Sequence, residues 1–221
     1  DMSLAKMSGA RLPLKLEGIN LSGVDLRDLD LSDHDLTGAN LSGANVSGAR
    51  LPLKLEGVNL SGVDLRDRDL SGHDLSGANL SGANLSGARI PLKLEGVDLS
   101  GVDLSGHDLS GHDLSGANLS GAALPRDLQR VNLSRVDLSG HDLSNINLSG
   151  ANLSGATLPR SLQRVNLSGV DLSGHDLSNI NLSGANLSGA NLSEATLPRD
   201  LQRVNLSGVD LRDLDLSRHN L

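Results

Sequence analysis

Hydrophobic residues return along this chain with a period of five. From Leu21 the steps reach Leu26, Leu31, Leu36, Leu41, Val46 and Leu51. With single-residue deletions the same spacing runs from Met2 to Leu221 through 46 positions, every one Met, Leu, Val or Ile. Five matches neither the period of about 3.6 of an α-helix nor the two-residue alternation of a strand. Leucines at this spacing would rotate around a helix, and the glycines of stretches such as Ser76–Ala88 would each cost about 1 kcal/mol in its interior. The period suits a chain that turns a corner every five residues. Each central Leu then points inward, with a small residue two places before it also facing in. The Ser-Gly pair that follows makes the corner, where glycine adopts positive φ without steric cost.

Units such as Ala78-Asn79-Leu80-Ser81-Gly82 and Ala83-Asn84-Leu85-Ser86-Gly87 resemble the pentapeptide-repeat family. Its motif is a small residue, Asn or Asp, Leu or Phe, then two polar or small residues. The resemblance covers the whole chain and implies an all-β fold, a right-handed quadrilateral β-helix with about twenty residues per coil. With neighbouring strands about 4.8 Å apart, 46 units would form about 11–12 coils and a rod about 55 Å long. The expected organisation is one continuous β-helix over residues 1–221.

The period slips at six prolines: Pro13, Pro52, Pro91, Pro125, Pro159 and Pro198. Each closes a four-residue unit, as in Ala49-Arg50-Leu51-Pro52, and a non-standard unit follows. In the first half these are Leu53–Gly57 and Leu92–Gly96; in the second, Arg126–Arg130, Arg160–Arg164 and Arg199–Arg203. Successive prolines are 39, 39, 34, 34 and 39 residues apart, a superrepeat of eight or seven units. Eight units equal two four-sided coils, so Pro52 and Pro91 are expected on one side. Seven units shift the feature by one face, so Pro125 and Pro159 are expected to step around the rod. Arg126, Arg160 and Arg199 fall at an inward-facing place by counting. A lone buried Arg is costly, so these units are expected to be pushed outward or locally distorted. Elsewhere large inward residues lie over small ones a coil apart, Val97 above Ala117, Val102 above Ala122 and Ile146 near Arg126, which fills a narrow core at normal density.

Composition sharpens this picture. The chain is 37% hydrophobic yet has no aromatic residue, so regularly placed small aliphatics must fill the interior. That same regularity argues against disorder despite 26 glycines. A net charge of −8 argues against a nucleic-acid partner. Without Cys there is neither a disulfide framework nor a thiolate metal site. No apolar run approaches the roughly 20 residues of a membrane span, and no membrane partner is expected. The opening Asp1–Ala10 is too short and polar for a signal peptide. Lacking an initiator Met and a cap at either end, the chain is expected to be part of a longer protein or to associate end to end as a homo-oligomer.

Candidate chemistry reduces to a charged surface. All seven histidines (His34, His73, His107, His112, His141, His175 and His219) occupy one repeat position with no second ligand at chelating spacing. They read as spacers rather than a metal site, and their protonation when partly buried is expected to lower stability in acid. Ser105-Gly106-His107-Asp108 supplies the letters of a catalytic triad without a pocket or an oxyanion site. Asn-Leu-Ser triplets such as Asn20-Leu21-Ser22 match the glycosylation pattern only because the repeat generates it. No catalytic residue, metal ligand or cofactor is expected. Aspartates cluster after each irregular unit, and Asp25, Asp30, Asp64, Asp69, Asp98 and Asp103 are the candidate partner-binding residues. Arg and Lys concentrate at the irregular units themselves.

The resemblance implies a non-enzymatic protein-binding scaffold. Some pentapeptide-repeat proteins are modules of bacterial effectors, which would place this chain in a bacterial cytoplasm or a host cell. Others mimic DNA and inhibit or protect type II topoisomerases; here interleaved Asn and Arg weaken that likeness. An engineered repeat protein is the third alternative, given the complete lack of Phe.

Overall fold

The computed structural model describes residues 11–212, 214 and 216–220, so the central positions Met2, Met7 and Leu221 lie outside the described residues. Two compact units are present: Asp1–His107 with Ala117–Leu124, and Asp108–Gly116 with Pro125–Leu221.

A single pentad shows how the sequence builds a side. Leu21 is wholly buried, and its carbonyl accepts the Val24 N–H at 3.1 Å, closing a tight turn in which Gly23 has φ 66°. The chain leaves this turn extended, with Val24 buried and Asp25 facing out. Leu26 then donates its N–H to the Asn45 carbonyl at 2.9 Å, and the Asn45 N–H donates back to Val24 at 3.0 Å. The result is a parallel bridge, Asp25 to Asn45, exactly one coil of twenty residues apart in sequence terms set by the repeat. The Asn or Asp before each Leu also holds the next turn: Asn20 Oδ1 accepts the Ser22 N–H at 3.1 Å. Asn adds a rung between coils, because its amide donates to the residue beneath, as Asn40 Nδ2 does to Asn20 Oδ1 at 3.2 Å.

These bridges stack into four ladders per unit. In the first unit one runs unbroken through Asn20, Asn40, Asn59, Asn79, Asp98 and Asn118. The other three pair coils two by two: Asp25 with Asn45 and Asp64 with Asn84; Asp30 with Arg50 and Asp69 with Arg89; Lys15 with Asp35 and Lys54 with Asp74. In the second unit two ladders are unbroken, Asp113–Asn132–Asn152–Asp171–Asn191 and Asp127–Asn147–Asn166–Asn186–Asn205. Four sides around a filled interior make a quadrilateral β-helix. Central leucines such as Leu26, Leu60, Leu104, Leu133 and Leu172 have no exposed surface. Val97, Ala117, Val102 and Ala122 are buried as the size alternation requires.

The irregular units resolve simply. Pro52, Pro91, Pro125, Pro159 and Pro198 are themselves buried, and the residue after each faces solvent. Arg126, Arg160 and Arg199 are therefore exposed, as the cost of burying them demanded. Pro52 and Pro91 lie between the same pair of ladders. Within the second unit, Pro125 precedes the Asp127 ladder, whereas Pro159 and Pro198 precede the neighbouring ladder of Ser161, Asn181, Asp200 and Asn220. Seven units thus step the feature by one face and eight return it to the same face. The glycine rule for corners is looser than the sequence implied. Asp28, Asp67, Arg130, Arg135, Asn145, Arg164, Glu194 and Arg203 take the same left-handed conformation, with φ from 56° to 63°. Each tolerates a strain of about 1 kcal/mol.

Candidate functional site

The six candidate aspartates all belong to the first unit but not to one patch. Asp25, Asp64 and Asp103 share a face, each separated from the next by one Asn-bearing coil. Asp30 and Asp69 repeat on the following face, and Asp98 stands apart on the Asn20 ladder. Each is first a structural group, because its carboxylate holds the adjoining turn. Asp30 Oδ1 accepts the Ser32 N–H at 3.1 Å and its hydroxyl at 2.6 Å, and Asp103 does the same with Ser105 at 3.0 and 2.6 Å. Asp98 accepts the Ser100 N–H at 2.9 Å and the Asn118 amide at 3.1 Å. Hydrogen bonds from Ser32, Ser71 and Ser105 hold the carboxyls of Asp30, Asp69 and Asp103 respectively below the usual carboxylate range.

Arginines cover most of the remaining charge. Arg27 grips Asp25 through Nε at 2.9 Å and Nη2 at 2.7 Å, and Arg66 grips Asp64 with the same two distances. Arg50 reaches Asp30 from the next coil at 3.5 Å, and Arg89 reaches Asp69 at 3.2 Å. The Arg66 side chain is the main reason the Asp64 carboxyl sits low. These partners escaped the linear reading. Two signals could have found them: an Arg two residues after an Asp, and an Arg twenty residues after one, which the fold converts into vertical neighbours. The face is therefore a mosaic of ion pairs rather than a bare acidic strip.

The Ser-His-Asp letters do not assemble into a nucleophile. Asp103, Ser105 and His107 line a shallow depression of about 460 Å³, but the Ser105 hydroxyl donates to Asp103 at 2.6 Å, away from any imidazole. Both ring nitrogens of His107 are buried without a partner. The histidines stand at inward-facing places: His112 is buried, and burial pushes the His73 imidazole below its ordinary pKa. His175 Nε2 lies 3.2 Å from the Leu153 carbonyl. Among the described residues no group of three or more His, Asp or Glu could hold a metal ion.

A stacked quadrilateral coil with an Asn/Asp-Leu-Ser-Gly unit on every side defines a solenoid of short β-segments. The chain belongs to the pentapeptide-repeat family: the Pentapeptide repeats profile matches eight copies over residues 15–52, 55–90, 93–126, 127–161 and 161–197. Its members of known structure are right-handed quadrilateral β-helices. Among solved structures, the chain is similar to HetL, a pentapeptide repeat protein involved in heterocyst differentiation regulation in the cyanobacterium Nostoc. The identity is 32% over 93% of this chain and 90% of that one, with a TM-score of 0.29. It is also similar to QnrB1, a plasmid-mediated fluoroquinolone resistance protein, at 23% identity over 87% of this chain and 93% of that one, TM-score 0.31. A pentapeptide repeat protein of the Arabidopsis thaliana thylakoid lumen matches at 24% identity over 56% of this chain and 68% of its own, TM-score 0.16. No curated protein matches the sequence.

Proposed function

We propose that this chain is a non-enzymatic protein-binding scaffold, continuous over residues 1–221, whose contact surface is the mixed Asp/Arg face of the first unit. The observation that supports this reading is the recurrence of Asp25–Arg27 and Asp64–Arg66 as bidentate pairs at identical positions two coils apart. Such fixed, outward-facing charge pairs on a rigid backbone suit recognition of another protein's polar surface, where charge pattern sets specificity and register. They suit DNA mimicry poorly. A duplex presents uncompensated charge of one sign, whereas here four of the six candidate carboxylates have an arginine within ion-pair distance.

The test compares the wild type with a variant carrying D25N, R27Q, D64N and R66Q in affinity capture after cross-linking. Proteins retained by the wild type and lost by the correctly folded variant support the assignment; identical capture by both removes it. A supercoiling assay with a type II topoisomerase separates the rival reading, since inhibition or protection at micromolar protein would favour the DNA mimic.

A further inference from the structure

Leu14, Leu53 and Leu92 are the large hydrophobic side chains left exposed among the described residues, at 64%, 66% and 63%. All three immediately follow a proline of the irregular units and belong to the first unit. The fold does not require them to be apolar. Their backbone role is to present a carbonyl to the next coil: Leu14 and Leu53 accept the N–H groups of Asp35 and Asp74 at 2.8 Å. Arg126, Arg160 and Arg199, the residues after Pro125, Pro159 and Pro198, present the same carbonyl to Asn147, Asn181 and Asn220 at 2.9, 2.9 and 2.7 Å. One position thus carries a solvated Arg in the second unit and a solvated Leu in the first.

The leucines form a row with a two-coil period, about 9.6 Å at the usual strand spacing. On either side of the row the charges alternate in sign coil by coil. One flank reads Lys15, Asp35, Lys54, Asp74, Lys93; the other reads Asp30, Arg50, Asp69, Arg89. Between Leu53 and Leu92 the corner is low, with Gly72 beneath Leu53, where a Cβ at Gly72 would lie 4.0 Å from Leu53 Cδ2; between Leu14 and Leu53 the same corner carries the exposed Asp33. A groove of about 430 Å³ lined by Gly72, His73, Pro91, Leu92 and Lys93 opens at the same corner.

We infer that this leucine row is the contact face of a closed, antiparallel dimer formed with a second copy of the chain. A surface of one charge sign, whether anionic lipid or nucleic acid, would meet like charge on every second coil of each flank here. The partner must carry alternating charges at one-coil spacing with an apolar group at every second coil, and the chain itself has that pattern. An antiparallel copy displaced by one coil sets Lys against Asp along the flank and the leucines of each copy against the histidine-bearing coils of the other. The existing cross-coil pairs, Asp30–Arg50 and Asp69–Arg89, are long and well exposed, so their arginines are available to the partner. The interface is isologous and closes at two copies. It is tested separately from the scaffold assignment, whose defining pairs, Asp25–Arg27 and Asp64–Arg66, stand on the neighbouring ladder and are untouched by the substitutions below.

Sedimentation velocity over a concentration series tests the inference. The wild type is expected to pass from monomer to dimer and stop there. The variant L14R/L53R/L92R places at each position the residue that the second unit already accommodates. It is expected to keep its far-UV circular dichroism, and its melting midpoint at concentrations where both proteins are monomeric, while its dimer dissociation constant rises at least tenfold. A second pair of variants needs no apolar change. K15D/K54D/K93D and D35K/D74K are each expected to lose self-association, and mixing the two restores a dimer. A wild type that stays monomeric throughout, a dimer that survives the leucine substitutions, growth into open-ended polymers that those substitutions leave intact, or charge variants that fail to complement would each overturn the inference.

Discussion

Two glycines of equal backbone conformation separate the cost of a left-handed corner from the cost of crowding above it. Gly82 and Gly87 have φ of 61° and 69°. A Cβ added at Gly82 meets nothing within 4 Å, whereas at Gly87 it would lie 2.3 Å from Asp67 Oδ1 and 3.4 Å from its Cγ. The left-handed region costs an L-residue about 1–2 kcal/mol, and the stiffer unfolded chain returns about 0.4–1 kcal/mol. Gly82→Ala should therefore destabilise by about 1 kcal/mol. Gly87→Ala must also push the Asp67 carboxylate out of its rotamer, adding about 0.5–1.5 kcal/mol, for a total of about 2 kcal/mol. Asp67 is itself strained, at φ 57°, so Asp67→Gly removes one strain and the obstacle together. In that background Gly87→Ala should cost no more than Gly82→Ala does. Urea denaturation followed by far-UV circular dichroism is the assay, since the chain has no aromatic residue to report by fluorescence. Equal losses at the two glycines, or a difference that persists after Asp67→Gly, would refute the reasoning.

Other perturbations follow from the same geometry. Leu65→Ala, at a wholly buried position, should cost about 2–5 kcal/mol, while Leu53→Ala on the exposed row should stay within about 0.5 kcal/mol; paired urea titrations check this. Asn166 accepts the Ser168 N–H and the Asn186 amide while donating to Asn147 at 2.9 Å. Asn166→Ala should lose about 1–2 kcal/mol, and Asn166→Asp, which keeps the turn acceptor but not the donor, should fall between in the same titration. The carboxyls of Asp30, Asp69 and Asp103 lie below their unfolded values, and the side chain of Arg212 holds Asp210 at about 2. Their stabilisation is present above the ordinary carboxylate range of about 4 and lost as pH falls through the folded values, so the urea midpoint should decline as pH falls below about 4, modestly because all four groups are solvent-exposed. His73 acts in a higher window: its folded pKa is depressed by burial, so its contribution is intact above about 6.5 and declines as pH falls from there toward the folded value. His73→Ala should flatten that part of the pH profile, measured as urea midpoint against pH.

What the linear sequence discloses, and what it hides, divides at the irregular units. The five-residue period identifies every central Leu, and Ser-Gly marks most corners, because both are local demands that one unit satisfies alone. Counting also puts Arg126 and Leu53 at the same inward-facing place, and there it fails for a physical reason. A four-residue unit ending in proline brings the ring into the interior, so the next residue is carried outside whatever its chemistry. The polarity of Arg126 made that outcome legible; the apolar side chain of Leu53 concealed it, since a leucine at an inward count looks like core. Pairings between coils were hidden as well. Arg50 meets Asp30 only once twenty residues have closed a coil, and Asp67 stands over Gly87 only in the folded stack. The core of this solenoid is therefore readable unit by unit, but its surface is a two-dimensional pattern whose second axis exists only after folding. The pairs Asp30–Arg50 and Asp69–Arg89 exist only along that second axis, and so does the leucine row, whereas Asp25–Arg27 and Asp64–Arg66 lie within single units.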